Sequence, residues 1–191
     1  METKISLLQM MNLLRLVEKE DSFFFSLATA SLVLDMDDFN DVKNNLAYYI
    51  KNEMIEHIGE DIYAFRIFSM VPINAHELLV HALRPNEINY VSFELLLNEY
   101  GIISQIPTIF TVATTGKSGL YRSRAYGIEF THIEHSYNEI IENCFFDESR
   151  GMLEASPIFA VNDLRTINRN THLIQEEEIE EAQDWYENQQ R

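Results

Sequence analysis

The residues that follow the stretch TTGKSG, Thr114–Gly119, constrain the fold more than any other part of the chain. TTGKSG contains the Gly-Lys-Ser of a phosphate-binding loop, which needs a helix after it and a second glycine five residues before Gly116. That earlier position is Thr111, and apolar side chains alternate from Tyr126 to His132 with the period of a strand. A nucleotide-binding enzyme would depend on this stretch alone, and the pattern favours a β-sheet.

The segment 108–113 before TTGKSG is β-branched and aromatic, so it predicts a strand. With the alternating segment it predicts a β-hairpin whose tip and return strand carry Lys117, Arg122 and Arg124. The formal net charge of −17 makes the chain a poor general binder of nucleic acid. We therefore expect the three cations to contact a protein partner, and the acidic surface to suit a basic protein.

Residues 1–70 have the element order of a winged helix-turn-helix. Apolar side chains spaced by three and four predict a helix within residues 4–18. Ser26 is placed to cap a second helix, and Asp37 or Asp38 a third. Two short strands around residues 59–61 complete the order as a hairpin. The third helix is predicted to bury one apolar stripe: Phe39, Val42, Leu46, Tyr49 and Ile50.

The opposite face of this third helix is the candidate DNA-reading surface. Its candidate base and phosphate contacts are Lys43, Asn44, Tyr48 and Lys51. Acidic residues outnumber lysine and arginine in residues 1–70, and their field repels phosphate. Operator DNA is therefore a doubtful partner, and a structural or protein-binding role for the unit is an equal alternative.

Residues 71–172 predict a small mixed α/β domain, which makes the fold class α+β. A helix is expected from Asn74 or Ala75 to Pro85, and a second over residues 92–100 with Ser92 as its cap. After the hairpin, Ser156-Pro157 begins a C-terminal helix with proline at its first position.

Residues 173–191 predict an acidic C-terminal helix or tail. Ile179, Ala182, Trp185 and Tyr186 lie on one stripe of it. The stripe could dock on the body of this protein or in a groove of a partner. The candidate partner contacts here are Glu177, Glu178, Ile179, Glu181, Trp185 and Tyr186.

The sequence indicates no catalytic or metal site. The six histidines have poor spacing for a shared metal, and no cysteine pair could anchor zinc. Cys144 is expected to be buried and inert, since apolar neighbours raise a thiol pKa. A single cysteine and an N-terminus unlike a signal peptide or membrane span indicate a cytoplasmic protein without cofactors.

The middle of the chain resembles the AbiEi-type antitoxins of abortive-infection, or type IV, toxin–antitoxin pairs. The resemblance is carried by Tyr90–Ile103, Ile106-Pro107 and the strand Phe110–Thr115 with the basic segment after it. Residues 59–64 are similar to the end of the family's winged helix. A later Ala-x-Pro pattern is matched by Ala155, Pro157, Ala160 and Asp163, although Ile158-Phe159 stands where the family usually has Glu-Lys.

This resemblance implies a non-enzymatic antitoxin that opposes a nucleotidyltransferase toxin. Many family members also repress their own promoter, and some related pairs form complexes. A cleft that takes nucleoside triphosphate and RNA should be basic, so an antitoxin of net charge −17 suits neutralisation by direct contact. The alternative is a winged-helix transcriptional repressor that does not contact the toxin.

Overall fold

A computed structural model of the protein describes residues 23–66 and 71–189. The chain forms two compact units, Met1–Pro85 and Asn86–Arg191. Within the described residues the fold is mixed α+β, with seven α-helices and two β-sheets.

The first unit contains three strands and three helices in its described part. They are β1 (Phe24–Ser26), α1 (Leu27–Leu34), α2 (Phe39–Lys51), β2 (Ile55–Gly59), β3 (Ile62–Phe65) and α3 (Ala75–Leu83). The three strands form one sheet in the order β1-β3-β2, and β3 pairs antiparallel with both neighbours. One core cluster joins β1, α1, α2 and the hairpin, so these elements stabilise one another.

Two predicted helix caps are confirmed in this unit. The Ser26 hydroxyl accepts the Thr29 N–H at 3.0 Å, and the Asp38 carboxylate accepts the Asn40 N–H at 2.7 Å. Each side chain satisfies an N–H that the first turn leaves without a backbone partner. The predicted helix within residues 4–18 lies outside the described residues.

The buried stripe of α2 agrees with the sequence pattern in its middle, and Ile50 near its end is partly buried. Val42 and Leu46 are fully buried and Tyr49 nearly so. The prediction that Phe39 is buried is wrong, since its side chain is 49% exposed. Phe39 is the first residue of α2 and lies one turn before Val42, the first buried position.

The described part of the second unit contains a six-stranded mixed sheet, four α-helices and a short 3-10 helix, Thr171–Leu173. Its elements are β4 (Asn89–Val91), α4 (Phe93–Glu99), β5 (Phe110–Thr114), β6 (Gly119–Arg122), β7 (Gly127–His132), α5 (Tyr137–Asn143), β8 (Cys144–Asp147), β9 (Met152–Ala155), α6 (Pro157–Thr166) and α7 (Glu178–Gln189). The strand order is β6-β7-β5-β4-β9-β8. Every residue of β5 is buried, so this strand has neighbours on both faces of the sheet.

The region after TTGKSG is a strand, as predicted, but its pairing differs from the prediction. β5 and β6 are not neighbours, because β7 lies between them and pairs parallel with β5. The hairpin is formed by β6 and β7, which pair antiparallel. The expected single hairpin from residue 108 to the return strand is therefore wrong. The local alternation predicts a strand, but it does not specify which other strand pairs with it.

Helix α6 begins at Pro157, as the sequence predicts. The Ser156 hydroxyl accepts the Phe159 N–H at 3.3 Å, and Pro157 occupies the first turn. α6 packs against both α4 and α7, and α4 packs on β5. Ala160, Val161 and Leu164 are buried in these contacts, as their spacing predicts.

None of the helices in residues 23–66 and 71–189 combines the length and the apolar composition that crossing a membrane requires.

Candidate functional site

Helix α7 packs on the body of the second unit through one narrow stripe. The ring of Tyr186 lies edge-on to Phe145, with centroids 5.2 Å apart, and edge-on to Tyr100 at 6.4 Å. Ala182 is 7% exposed, and burial raises the pKa of Tyr186 to about 12. The side chain of Gln183 also accepts the backbone N–H of Ile158. Of the two alternatives for this stripe, docking on the protein's own body is the one found in the structure.

Trp185 lies beside this stripe but is 56% exposed. Its ring is edge-on to Tyr100, with 6.4 Å between centroids. Tryptophan is enriched among residues that anchor protein interfaces, because it covers a large apolar area and loses little side-chain freedom. The Trp185 ring is thus supported from one side and open on the other.

The outer surface of α7 is an acidic face formed by carboxylates with helical spacing. Glu180, Glu181 and Asp184 are exposed on the helix, and the exposed Glu177 lies in the turn just before it, so the four follow the i, i+3, i+4, i+7 pattern. Of the other candidates, Glu178 and Ile179 are half-buried in the first turn. Glu181 and Trp185 are four residues apart, so the anchor ring and the acidic face adjoin.

The three predicted cations do not form one basic tip. Lys117 is exposed in the connection that precedes β6, whereas Arg122 ends that strand and Arg124 lies in the turn after it. A strand of this length separates its two ends by about 10 Å. The prediction of one hairpin for all three cations is wrong, because β6 pairs with β7 and not with β5.

The TTGKSG connection contacts groups of its own chain. The carboxylate of Glu87 lies against Gly116, in the space that a Cβ at this position would occupy. A ring nitrogen of His132 lies 2.7 Å from the Gly116 carbonyl oxygen, and the His132 N–H donates to Ser118. Strand β6 follows the connection in place of the helix that a nucleotide loop needs.

The candidate DNA-reading residues lie together on α2. Lys43, Asn44, Tyr48 and Lys51 are all exposed. The Lys43 ammonium lies 2.9 Å from a carboxylate oxygen of Asp61 in the β2–β3 turn, and this hydrogen bond raises the pKa of Lys43. The charge of Lys43 is therefore paired with a carboxylate, at a position where a DNA-binding helix would present its cation to the DNA.

A buried polar cluster surrounds Asp163, which is 0% exposed on α6. One of its carboxylate oxygens accepts the hydroxyls of Tyr90, at 3.0 Å, and Ser92, at 2.7 Å. The other lies 2.8 Å from Nε2 of His135. Burial raises the pKa of Asp163, and the hydrogen bonds from Ser92 and His135 oppose that change.

The Asp163 cluster changes the role that the sequence gave to Ser92. Ser92 occupies the cap position of α4, but its side chain makes no capping bond and donates to Asp163. The sequence does contain one indication of this cluster, the carboxylate of Asp163 among the apolar residues of α6. A buried charge needs hydrogen-bonding partners. Those partners come from distant parts of the chain.

An acid-lined pocket of about 230 Å³ opens elsewhere in the second unit. The Arg169 guanidinium donates to both carboxylate oxygens of Glu94, at 2.8 and 2.5 Å, and to Glu129 at 2.8 Å. Asn170 donates to Glu94 at 2.9 Å. The remaining lining residues are Ile103, Gln105, Pro107, Thr108, Ile109 and Thr111. No local pattern in the sequence indicates this pocket.

In the sequence, Phe93 lies between Ser92, which belongs to the Asp163 cluster, and Glu94, which lines the acid-lined pocket. It is fully buried, and its φ of +62° is in the left-handed region, which bulky residues rarely adopt. The guanidinium of Arg169 lies 5.3 Å from the centre of its ring. Backbone strain of this kind costs about 1–3 kcal/mol and persists where surrounding contacts fix it.

No known family model matches this sequence. No curated protein matches it either.

Within residues 23–66 and 71–189, no group of three or more His, Cys, Asp or Glu side chains is arranged to hold a metal ion. Three features of the described residues could contact a partner: the acidic face of α7 with Trp185, the exposed row on α2 and the acid-lined pocket.

Proposed function

We propose that the protein is a non-enzymatic antitoxin that neutralises a nucleotidyltransferase toxin by direct contact. The observation that carries the proposal is the acidic face of α7, held on the second unit beside the exposed ring of Trp185. The likeness of residues 90–115 to the AbiEi-type antitoxins motivates the identity of the target. We place the encounter in the cytoplasm, where nucleoside triphosphates and RNA occur.

The charge of the protein supports a basic partner. A nucleotidyltransferase binds the phosphates of its substrates, so its cleft should present lysine and arginine. Complementary fields raise association rates to about 10⁸–10⁹ M⁻¹s⁻¹ at low salt. A protein of net charge −17 would approach such a cleft quickly and cover it.

The packing of α7 supports a preformed contact surface. Tyr186 and Ala182 hold the helix against the body of the unit, so little conformational entropy remains to be lost on binding. Trp185 is the proposed anchor, and Glu177, Glu181 and Asp184 are its acidic surroundings. Lys117, Arg122 and Arg124 remain proposed contacts to separate parts of the toxin.

The first unit is proposed to be a winged helix-turn-helix. Its order β1-α1-α2-β2-β3 and its antiparallel sheet support this assignment, with the β2–β3 hairpin as the wing. In this assignment α2 is the recognition helix.

A second function, repression of the antitoxin's own promoter, is favoured by the exposed row on α2. Lys43, Asn44, Tyr48 and Lys51 present hydrogen-bond donors along one face. The pairing of Lys43 with Asp61 weakens this candidate. A shift assay with the promoter fragment tests it: Lys51→Glu should abolish a specific shift, and unchanged binding would remove α2 as the reading helix.

The primary proposal is tested by isolating the tagged protein from its own host at moderate salt and identifying its partners by mass spectrometry. A stoichiometric nucleotidyltransferase is the expected result. A promoter-specific DNA complex with no protein partner would replace this proposal with the repressor alternative.

A further inference from the structure

We infer that the acid-lined pocket receives an arginine side chain from the protein partner. The inference rests on the proposed function, because it assigns a specific contact within that complex. It concerns a site separate in sequence from α7, formed by α4, the segment between α4 and β5, β5 itself, β7 and the segment after α6.

The charge of the pocket selects a cation. Its lining contains two carboxylates, Glu94 and Glu129, and one guanidinium, Arg169, which leaves one net negative charge. Arg169 is already bound to both carboxylates, so an incoming phosphate or carboxylate would meet a compensated cation and an excess anion. Nucleotides and acidic peptides are therefore poor occupants.

The size of the pocket suits a single side chain. Pockets for drug-sized ligands and cofactors usually measure about 300–1,000 Å³, whereas this one is about 230 Å³. Ile103, Pro107 and Ile109 supply apolar wall. Arginine carries an apolar stem below its charged group, so it matches a pocket with apolar walls and carboxylates.

The hydrogen bonds favour guanidinium over ammonium. Glu94 already accepts two hydrogen bonds from Arg169 and one from Asn170. Among the described residues, Glu129 engages Arg169 through one oxygen, so its second oxygen is available to an incoming donor. Gln105 and Thr108 add neutral acceptors. A flat group with several fixed donors, which is less strongly hydrated than an ammonium, fits these acceptors best.

The pocket is tested with N-acetyl-arginine-N-methylamide as the probe and the matching citrulline derivative as the control. The two have nearly the same shape, but citrulline is neutral. In ¹⁵N correlation spectra, the arginine probe should shift the amides of Glu94, Gln105 and Glu129, and the citrulline probe should not. Equal shifts with both probes, or none with either at tens of millimolar, would overturn the inference.

Two variants locate the binding. Glu129→Gln removes the excess negative charge of the pocket. It should lower the affinity for the arginine probe about tenfold, because a charge-assisted hydrogen bond is lost. Thr108→Trp leaves every ion pair of the pocket in place and adds a large ring to its lining, so it should abolish probe binding. Glu134→Gln removes an exposed carboxylate outside the pocket and should change nothing. Full affinity in both pocket variants would place the probe elsewhere.

The complex with the toxin separates this inference from the proposed function. If the toxin binds and Thr108→Trp reduces its affinity at least tenfold, the arginine assignment is supported. If the toxin binds the variant and the wild type equally, the assignment fails and the proposed function stands. If no toxin binds at all, the proposed function fails, and with it the partner that would supply the arginine.

Discussion

Tyr186 near the C-terminus packs its ring edge-on against Phe145 in β8, with 5.2 Å between the ring centroids. This contact fixes a strongly acidic helix on the folded unit. The adjacent residue, Trp185, remains largely exposed. Tyr186 therefore contributes to stability and Trp185 to the proposed recognition. Substituting each of them should affect a different property.

Tyr186→Ala should lower the free energy of unfolding by about 2–3 kcal/mol, because it removes a half-buried ring that contacts Phe145 and Tyr100. Trp185→Ala should change it by less than about 1 kcal/mol, because most of that ring is exposed. Urea unfolding of the two variants measures this difference. Equal losses of stability would mean that Trp185 is part of the structural contact.

Reversing charges on the acidic face should slow association with the toxin. In a Glu180→Lys/Asp184→Lys variant, the association rate constant should fall about tenfold at low salt and converge on the wild-type value as salt screens the field. Stopped-flow kinetics across a salt series measures it. As a control, Asp35→Lys and Asp37→Lys change the net charge equally in the first unit. If both pairs act alike, net charge alone steers the encounter.

Removal of the buried carboxylate should be costly. Asp163→Ala leaves Tyr90, Ser92 and His135 without their common acceptor, and we expect a loss of about 3–5 kcal/mol. Tyr90→Phe removes only one of the hydrogen bonds and should cost about 1 kcal/mol. Calorimetric unfolding compares the two, and a small effect of Asp163→Ala would show that the cluster relaxes without penalty.

The thiol of Cys144 should make stability fall as pH rises above about 8.5, the ordinary pKa of cysteine. Cys144 is partly buried and not fully buried as expected. This burial, with a contribution from Asp163, raises the pKa of the thiol in the folded protein. The unfolded thiol therefore ionises first, and the folded state binds more protons in this window. The free energy of unfolding should decrease by up to about 1.4 kcal/mol per pH unit.

Cys144→Ala should remove most of that decrease between about pH 8.5 and 9.5, where the tyrosines of the unfolded chain, with an ordinary pKa of about 10, are still mostly protonated. The same burial should make native Cys144 slow to react with a disulfide reagent at pH 8, and urea should restore ordinary reactivity. A pH dependence that persists in Cys144→Ala would assign it to another group.

Local signals in the sequence predicted much of the secondary structure. Ser26 and Asp38 cap their helices because short polar side chains reach the first N–H groups of a helix, a relation that spans only a few residues. The alternation after Gly127 likewise gave strand β7. The pairing of β7 with β5 was not predictable, since strand periodicity does not specify a neighbour.

The candidate sites depend on contacts that no local pattern contains. Asp163 meets Tyr90 and Ser92 from more than seventy positions away, and Arg169 reaches Glu94 across a similar separation. The sequence did identify the stripe of α7, because its spacing is local to one helix. It could not decide whether the stripe meets this protein or a partner, which depends on the position of Phe145 and Tyr100 in the folded unit.

The most direct test of the account is calorimetric titration of the purified protein into the nucleotidyltransferase isolated with it, alongside the Trp185→Ala variant. The account predicts a stoichiometric complex that weakens with salt and loses at least tenfold in affinity in the variant, whose fold is unchanged. Neutralisation of the toxin without any measurable complex would contradict it.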